Sequence, residues 1–176
     1  MIGKGKSISH GTAALEYDLA KEIDGQTAAI EIARHELYGC TGAEMVQEMK
    51  PYHADFPNVK NNCLRFEVSP SIEESATFTD ADWAELGNDF MQRMGLANHQ
   101  YIIIRHSGTE SKKEQAHLHI LANRVSLSGE LYRDNWIGKK ATEAANAIAK
   151  ERNFVQSKDI IKDNIEYDIL IQDPHM

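Results

Sequence analysis

The chain has 176 residues, a formal net charge of −8, 41% hydrophobic and 26% charged residues. That is enough for one domain with a sizeable core, in the range of an ordinary globular protein. The acidic balance argues against a generic nucleic-acid binder. No apolar run approaches the roughly 18 residues of a membrane helix. No apolar stretch of signal-peptide type follows Met1, and Cys40 and Cys63 form neither a CxxC pair nor a disulfide framework. These features lead us to expect a cytoplasmic protein without membrane insertion.

In chain order, Gly3–Ser9 reads as a short strand or arm, and Ser9 or Thr12 as the cap of a helix over Gly11–Lys21. Its predicted packing face is Ala13, Ala14, Tyr17 and Ala20. A second, weakly patterned helix is expected over Thr27–Leu37. A third begins at Thr41-Gly42-Ala43-Glu44, with capping-box spacing, and runs toward Lys50. Cys63-Leu64-Arg65-Phe66-Glu67-Val68-Ser69 alternates as a half-buried strand, with Arg65 and Glu67 on the face opposite Leu64, Phe66 and Val68. Thr79 caps a helix over Asp80–Met94 that buries Trp83, Leu86, Phe90, Met91 and Met94. A strand over Tyr101–His106, a polar hairpin from Ser107 to Gln115 and a strand beginning at His117 come next. They are followed by a short strand at Leu131–Arg133 and an alanine-rich helix from about Gly138 to Arg152. The end of the chain, including Asp168-Ile169-Leu170-Ile171, has no clear pattern.

This order predicts an α/β fold, a mainly antiparallel central sheet with helices on one face. Arg65, Glu67, His117, His119 and Asn123 would occupy the uncovered face.

The chemistry concentrates in three histidines within fourteen residues: His106, then His117 and His119. A His-x-His pair on a strand directs both imidazoles to one face, because side chains alternate with period two. The hairpin returns His106 beside them. Three neutral imidazoles with open positions make a metal site suited to catalysis. Ligand softness favours Zn²⁺, Ni²⁺ or Mn²⁺ over Mg²⁺. Residues 101–150 hold eight Lys/Arg against five Asp/Glu, whereas the rest of the chain is negative.

His106, His117-Leu118-His119 and Asn123-Arg124-Val125 together resemble the three-histidine motif of conjugative relaxases, in the HUH endonuclease group. Ser9-His10-Gly11-Thr12-Ala13-Ala14-Leu15-Glu16-Tyr17-Asp18-Leu19 resembles their nucleophile motif, and Arg65-Phe66-Glu67-Val68 the strand carrying an acidic residue. The likeness covers about residues 1–152 and is nearest the MOB-P type, Bacteroides-like branch. It implies a ferredoxin- or palm-type two-layer sandwich, with a nuclease domain over 1–152 and 153–176 as an extension of it. It also implies nicking of one DNA strand at a plasmid or transposon origin of transfer, through a 5′-phosphotyrosyl intermediate that permits rejoining without ATP.

In that scheme Tyr17 is the nucleophile. His106, His117 and His119 bind a divalent metal, Mg²⁺ or Mn²⁺ in the family. Glu67 is a base or holds a histidine tautomer, and Asn123 supports the metal ligands from behind. Lys4, Lys6, Arg65, Arg105, Arg124 and Lys140 are candidate phosphate contacts, with Lys139 beside them. Single-stranded DNA, accessory mobilization proteins and a coupling protein are the implied partners. The rival readings are an HUH replication initiator, whose tyrosine usually follows the histidines, and a non-catalytic DNA-binding or assembly module. A histidine-triad hydrolase would want a further histidine where Leu121 stands.

Overall fold

The structure, a computed structural model, describes residues 1–159. The stretch 168–171, left without a pattern above, lies outside the described residues, as does most of the expected 153–176 extension. Five strands form one antiparallel sheet: β1 (Ile2–Ile8), β4 (Ala29–His35), β5 (Cys63–Ser69), β6 (Tyr101–His106) and β7 (His117–Asn123). Their spatial order is β1-β5-β7-β6-β4. A small hairpin of β2 (Glu22–Ile23) and β3 (Gln26–Thr27) stands apart from it. The helices are α1 (Gly11–Leu19), α2 (Gly42–Met49), α3 (Ile72–Ser75), α4 (Asp80–Arg93) and α5 (Ile137–Glu151).

The α/β class and the antiparallel sheet are as expected, but the helices lie on both faces. On one face α4 and α5 bury Leu64, Phe66, Val68, Ile103, Leu118 and Ile120. On the other, α1 and α2 close a second core over Ile8, Cys63, Ile102, Ile104 and Leu121. The reason is visible in β6 and β7, whose residues are apolar on both sides: such strands need cover on both faces.

The helix expected over Thr27–Leu37 is instead β3 and the edge strand β4. Ile30 pairs with Arg105 and His35 with Tyr101, with a register shift between Glu31 and Ala33. Pairing with β6 overrides the weak helical spacing, and the irregularity interrupts an otherwise exposed edge. Leu131–Arg133 forms only a single bridge, Val125 to Leu131.

Local signals placed the other elements well, except the cap of α1, which is His10 without a side-chain hydrogen bond and not Ser9 or Thr12. Thr41 Oγ1 accepts from Glu44 N, and the Glu44 carboxylate turns back to Cys40 N. Thr79 and Asp82 form a reciprocal capping box, and Ser71 and Glu74 form another on the short α3. The alanines of α5 allow it to lie directly on β1. A Cβ at Gly3 would come 2.4 Å from Ala141 O and 2.7 Å from Ala145 Cβ. Only glycine fits that approach.

Candidate metal and nucleophile site

The register of three strands builds the site. His106 pairs with His117 and Ile104 with His119 across β6 and β7, while Glu67 of β5 pairs with His119 on the other side. All three imidazoles therefore project from one face at one end of the sheet. One ligand nitrogen from each can be chosen so that all lie within 4.8 Å of one another. Ring centroids are 4.3 Å apart for His106 and His119, and 4.9 Å for His117 and His119.

Backbone acceptors fix which nitrogens are free. His117 Nδ1 lies 2.9 Å from Gln115 O, so it donates there and keeps Nε2 bare. His106 Nε2 lies 2.8 Å from Asp18 O, so it donates there and keeps Nδ1 bare. His117 Nε2 and His119 Nε2 are 3.1 Å apart. Ligand nitrogens sharing one ion at about 2.1 Å lie roughly 3.0–3.4 Å apart, so the donor set fits a divalent metal. Burial lowers the pKa of His106, and pushes that of His119 down to about 2, with the neighbouring imidazoles adding to the effect. Neutral rings are the form that binds a cation.

α1 carries Tyr17 to this end of the sheet. The buried stripe of the helix is Gly11, Ala14, Leu15 and Asp18, not the expected face that included Tyr17. The Tyr17 ring is instead 60% exposed. It lines a depression of about 210 Å³ together with Lys21, Glu67, His106, Gly108, Thr109, His117 and His119. Lys21 Nζ donates to Tyr17 Oη at 3.4 Å and lies 5.5 Å from the ring centroid.

A second depression of about 230 Å³ adjoins the first through Glu67 and His119, and is lined by Lys4, Lys6 and Arg65. These three of the expected phosphate contacts thus gather beside the histidines. The other three do not. Arg105 projects from the opposite face and pairs with Asp80 at 2.9 Å. Arg124 is engaged by Asp134, Tyr132 O and Asn61 O. Lys140 bonds Arg133 O and lies over the Tyr132 ring, on α5.

Asn123 does not support the metal ligands from behind. It stands four residues beyond His119, about 13 Å along the strand. There its Nδ2 donates to Met49 O and Gln100 Oε1, and its Oδ1 accepts from His53 Nε2 and Val125 N. It ties the end of α2 to the sheet.

Sequence reasoning missed Asp18. Its carboxylate is 1% exposed, takes Arg65 Nη2 at 2.6 Å and Nε at 3.3 Å, and stands 4.0 Å from His119 Nδ1. Burial raises its pKa, and the hydrogen bond and charge of Arg65 oppose that. The signal was an aspartate in a stripe otherwise made of Gly11, Ala14 and Leu15.

A family model described as "Relaxase: MobA/VirD2-like, nuclease domain" matches residues 17–154. The chain belongs to this relaxase family. No match is found among curated proteins. Membership of the relaxase nuclease family implies DNA endonuclease activity, with single-stranded DNA at an origin of transfer as the substrate. The histidine cluster is able to hold the metal ion that relaxases require. No helix among the described residues of this relaxase domain is long and apolar enough to cross a membrane.

Proposed function

We propose that this relaxase domain nicks one DNA strand at a plasmid or transposon origin of transfer, with Tyr17 as nucleophile, and later rejoins it. One observation carries the reading: an exposed phenol and three convergent imidazoles open into the same depression of about 210 Å³.

The Tyr17 oxygen attacks the scissile phosphorus. A phosphorus–phenolate oxygen bond forms, the bond to the 3′ oxygen breaks, and the DNA 5′ end remains on the tyrosine. The phenolic proton passes to Glu67 or to water, and the departing 3′ oxygen takes up a proton. Because the phosphodiester is exchanged rather than hydrolysed, the same steps run backwards to seal the strand. His106, His117 and His119 would hold a divalent ion. When bound, that ion neutralises charge on the non-bridging phosphate oxygens. Mn²⁺ or Mg²⁺ is the physiological metal in this reading, with Zn²⁺ or Ni²⁺ binding in vitro. Lys21 stands beside the Tyr17 oxygen and holds it toward the depression. Lys4, Lys6 and Arg65 line the adjoining cleft and contact flanking phosphates, which supply affinity rather than base choice.

We assign the catalytic unit to residues 1–152, with 153–176 as its extension, and place the protein in the MOB-P, Bacteroides-like branch. Accessory mobilization proteins and a coupling protein complete its transfer apparatus, and its setting is cytoplasmic. Tyr17 precedes the histidines, which favours a relaxase over a replication initiator.

The test is a 3′-labelled single strand, taken from the DNA beside the gene and spanning the origin of transfer, incubated with the protein and Mn²⁺. The expected product is a labelled protein–DNA band that survives denaturation. Tyr17→Phe should abolish the band and leave Mn²⁺ binding intact. A band of undiminished intensity from Tyr17→Phe rejects Tyr17 as nucleophile, and no band from the wild type on its own origin favours a non-catalytic module.

A further inference from the structure

Of the two carboxylates near the histidines, only one is built into them. Glu67 is partly exposed on β5 and lines the depression. Asp18 is buried, meets the cluster at two points and holds Arg65 at a third. Its main-chain oxygen accepts from His106 Nε2 at 2.8 Å, its Oδ1 stands 4.0 Å from His119 Nδ1, and its carboxylate grips Arg65 through two nitrogens. Among the described residues, no other carboxylate lies within 4.0 Å of an imidazole of the cluster.

We propose that Asp18 is the positioning residue of the metal site, orienting His119 and shielding it from the Arg65 charge, a role for which Glu67 is dispensable. The inference rests on the relaxase reading above. Three physical points support it. A carboxylate facing one ring nitrogen turns the other toward a cation and raises its basicity. A guanidinium this close to the imidazoles opposes cation binding, and Asp18 supplies the compensating charge in a place that water does not reach. Arg65 keeps Nη1 clear of Asp18 and lines the cleft of Lys4 and Lys6, so the same ion pair aims a donor at a flanking phosphate. Asp18 follows Tyr17 directly, so this one helical turn sets the spacing between the nucleophile and two of the three metal ligands.

The experiment is titration calorimetry of the metal-free full chain with Mn²⁺, independent of any DNA. Asp18→Asn should weaken Mn²⁺ binding about tenfold or more, whereas Glu67→Gln should change it by less than about threefold. Asp18→Asn leaves Arg65 without its partner, so Asp18→Asn combined with Arg65→Gln separates folding from positioning. If the double variant melts like the wild type and still binds Mn²⁺ about tenfold more weakly, the assignment stands. If its affinity returns to the wild-type value, Asp18 serves only to neutralise Arg65 and orients nothing, which overturns its assignment as a positioning residue. Equal loss on Glu67→Gln also overturns it. A wild type that forms the DNA adduct but whose Asp18→Asn variant binds Mn²⁺ normally rejects this inference alone. A wild type that neither binds Mn²⁺ nor forms an adduct rejects the reading beneath it.

Discussion

His106 Nε2 donates to the main-chain oxygen of Asp18 at 2.8 Å, joining the end of β6 to the helical residue next to Tyr17. Main-chain acceptance makes this tie independent of the Asp18 side chain. It means that α1 cannot slide along the sheet without disturbing an imidazole of the cluster, and that the exposed tyrosine is carried on a helix fixed from beneath.

The buried histidines make stability depend on pH. Burial holds His99, His106 and His119 below the ordinary value of 6.5, His119 down to about 2. Below 6.5 the unfolded chain takes up protons that the folded chain refuses, so stability is present above that value and is lost as the pH falls. His119, held furthest below the ordinary value, contributes the largest share of the loss in this range. Thermal melting of the metal-free protein between roughly pH 7.5 and 5 should show a steep fall, and His119→Gln should flatten it. An equally steep fall in that variant would show that His119 is not held neutral.

Lys21 donates to the Tyr17 oxygen from one helical turn away. Lys21→Met should slow adduct formation, by less than the roughly 100-fold that a preorganised buried donor at a reacting oxygen supplies, because this contact is long and exposed. Melting temperature should stay as in the wild type, since the contact is exposed. Single-turnover rates on the origin oligonucleotide measure this. An unchanged rate removes Lys21 from the reaction.

Lys4 and Lys6 project beside His119 along the β1 edge. If each meets a phosphate, changing both to Gln should reduce the slope of log affinity against log salt by about 1.4 for single-stranded DNA, roughly 0.7 for each contact. Fluorescence anisotropy over a range of salt concentrations gives the slope. The same change at Lys140, placed on α5, should leave it where it was.

Gly3→Ala would drive a methyl group into Ala141 O and Ala145 Cβ, at 2.4 and 2.7 Å. Backbone cannot yield as a long side chain would, so the substitution should destabilise the domain by about 1–3 kcal/mol. Urea denaturation measures it. A neutral result would mean that α5 lifts readily from β1.

Where local chemistry decides, the sequence was informative. Thr41 and Thr79 were readable as caps because capping needs only residues within one helical turn. The strands β5, β6 and β7 were readable from alternation and apolar runs, and the three histidines from strand period and motif order. Tyr17 was found by the resemblance, not by periodicity, which placed it on the wrong face of its helix.

What the sequence by itself determined is therefore the set of elements with strong local signals and the identity of the convergent imidazoles. The tertiary structure alone decided three things. Thr27–Leu37 became strand, because pairing with β6 outweighs a weak helical pattern. Asn123 fell at the far end of β7 from the histidine cluster, although it is close to it in sequence. Asp18 entered the site and Arg105 left it, because a charge finds its partner across elements whose separation along the chain says nothing of their distance in space.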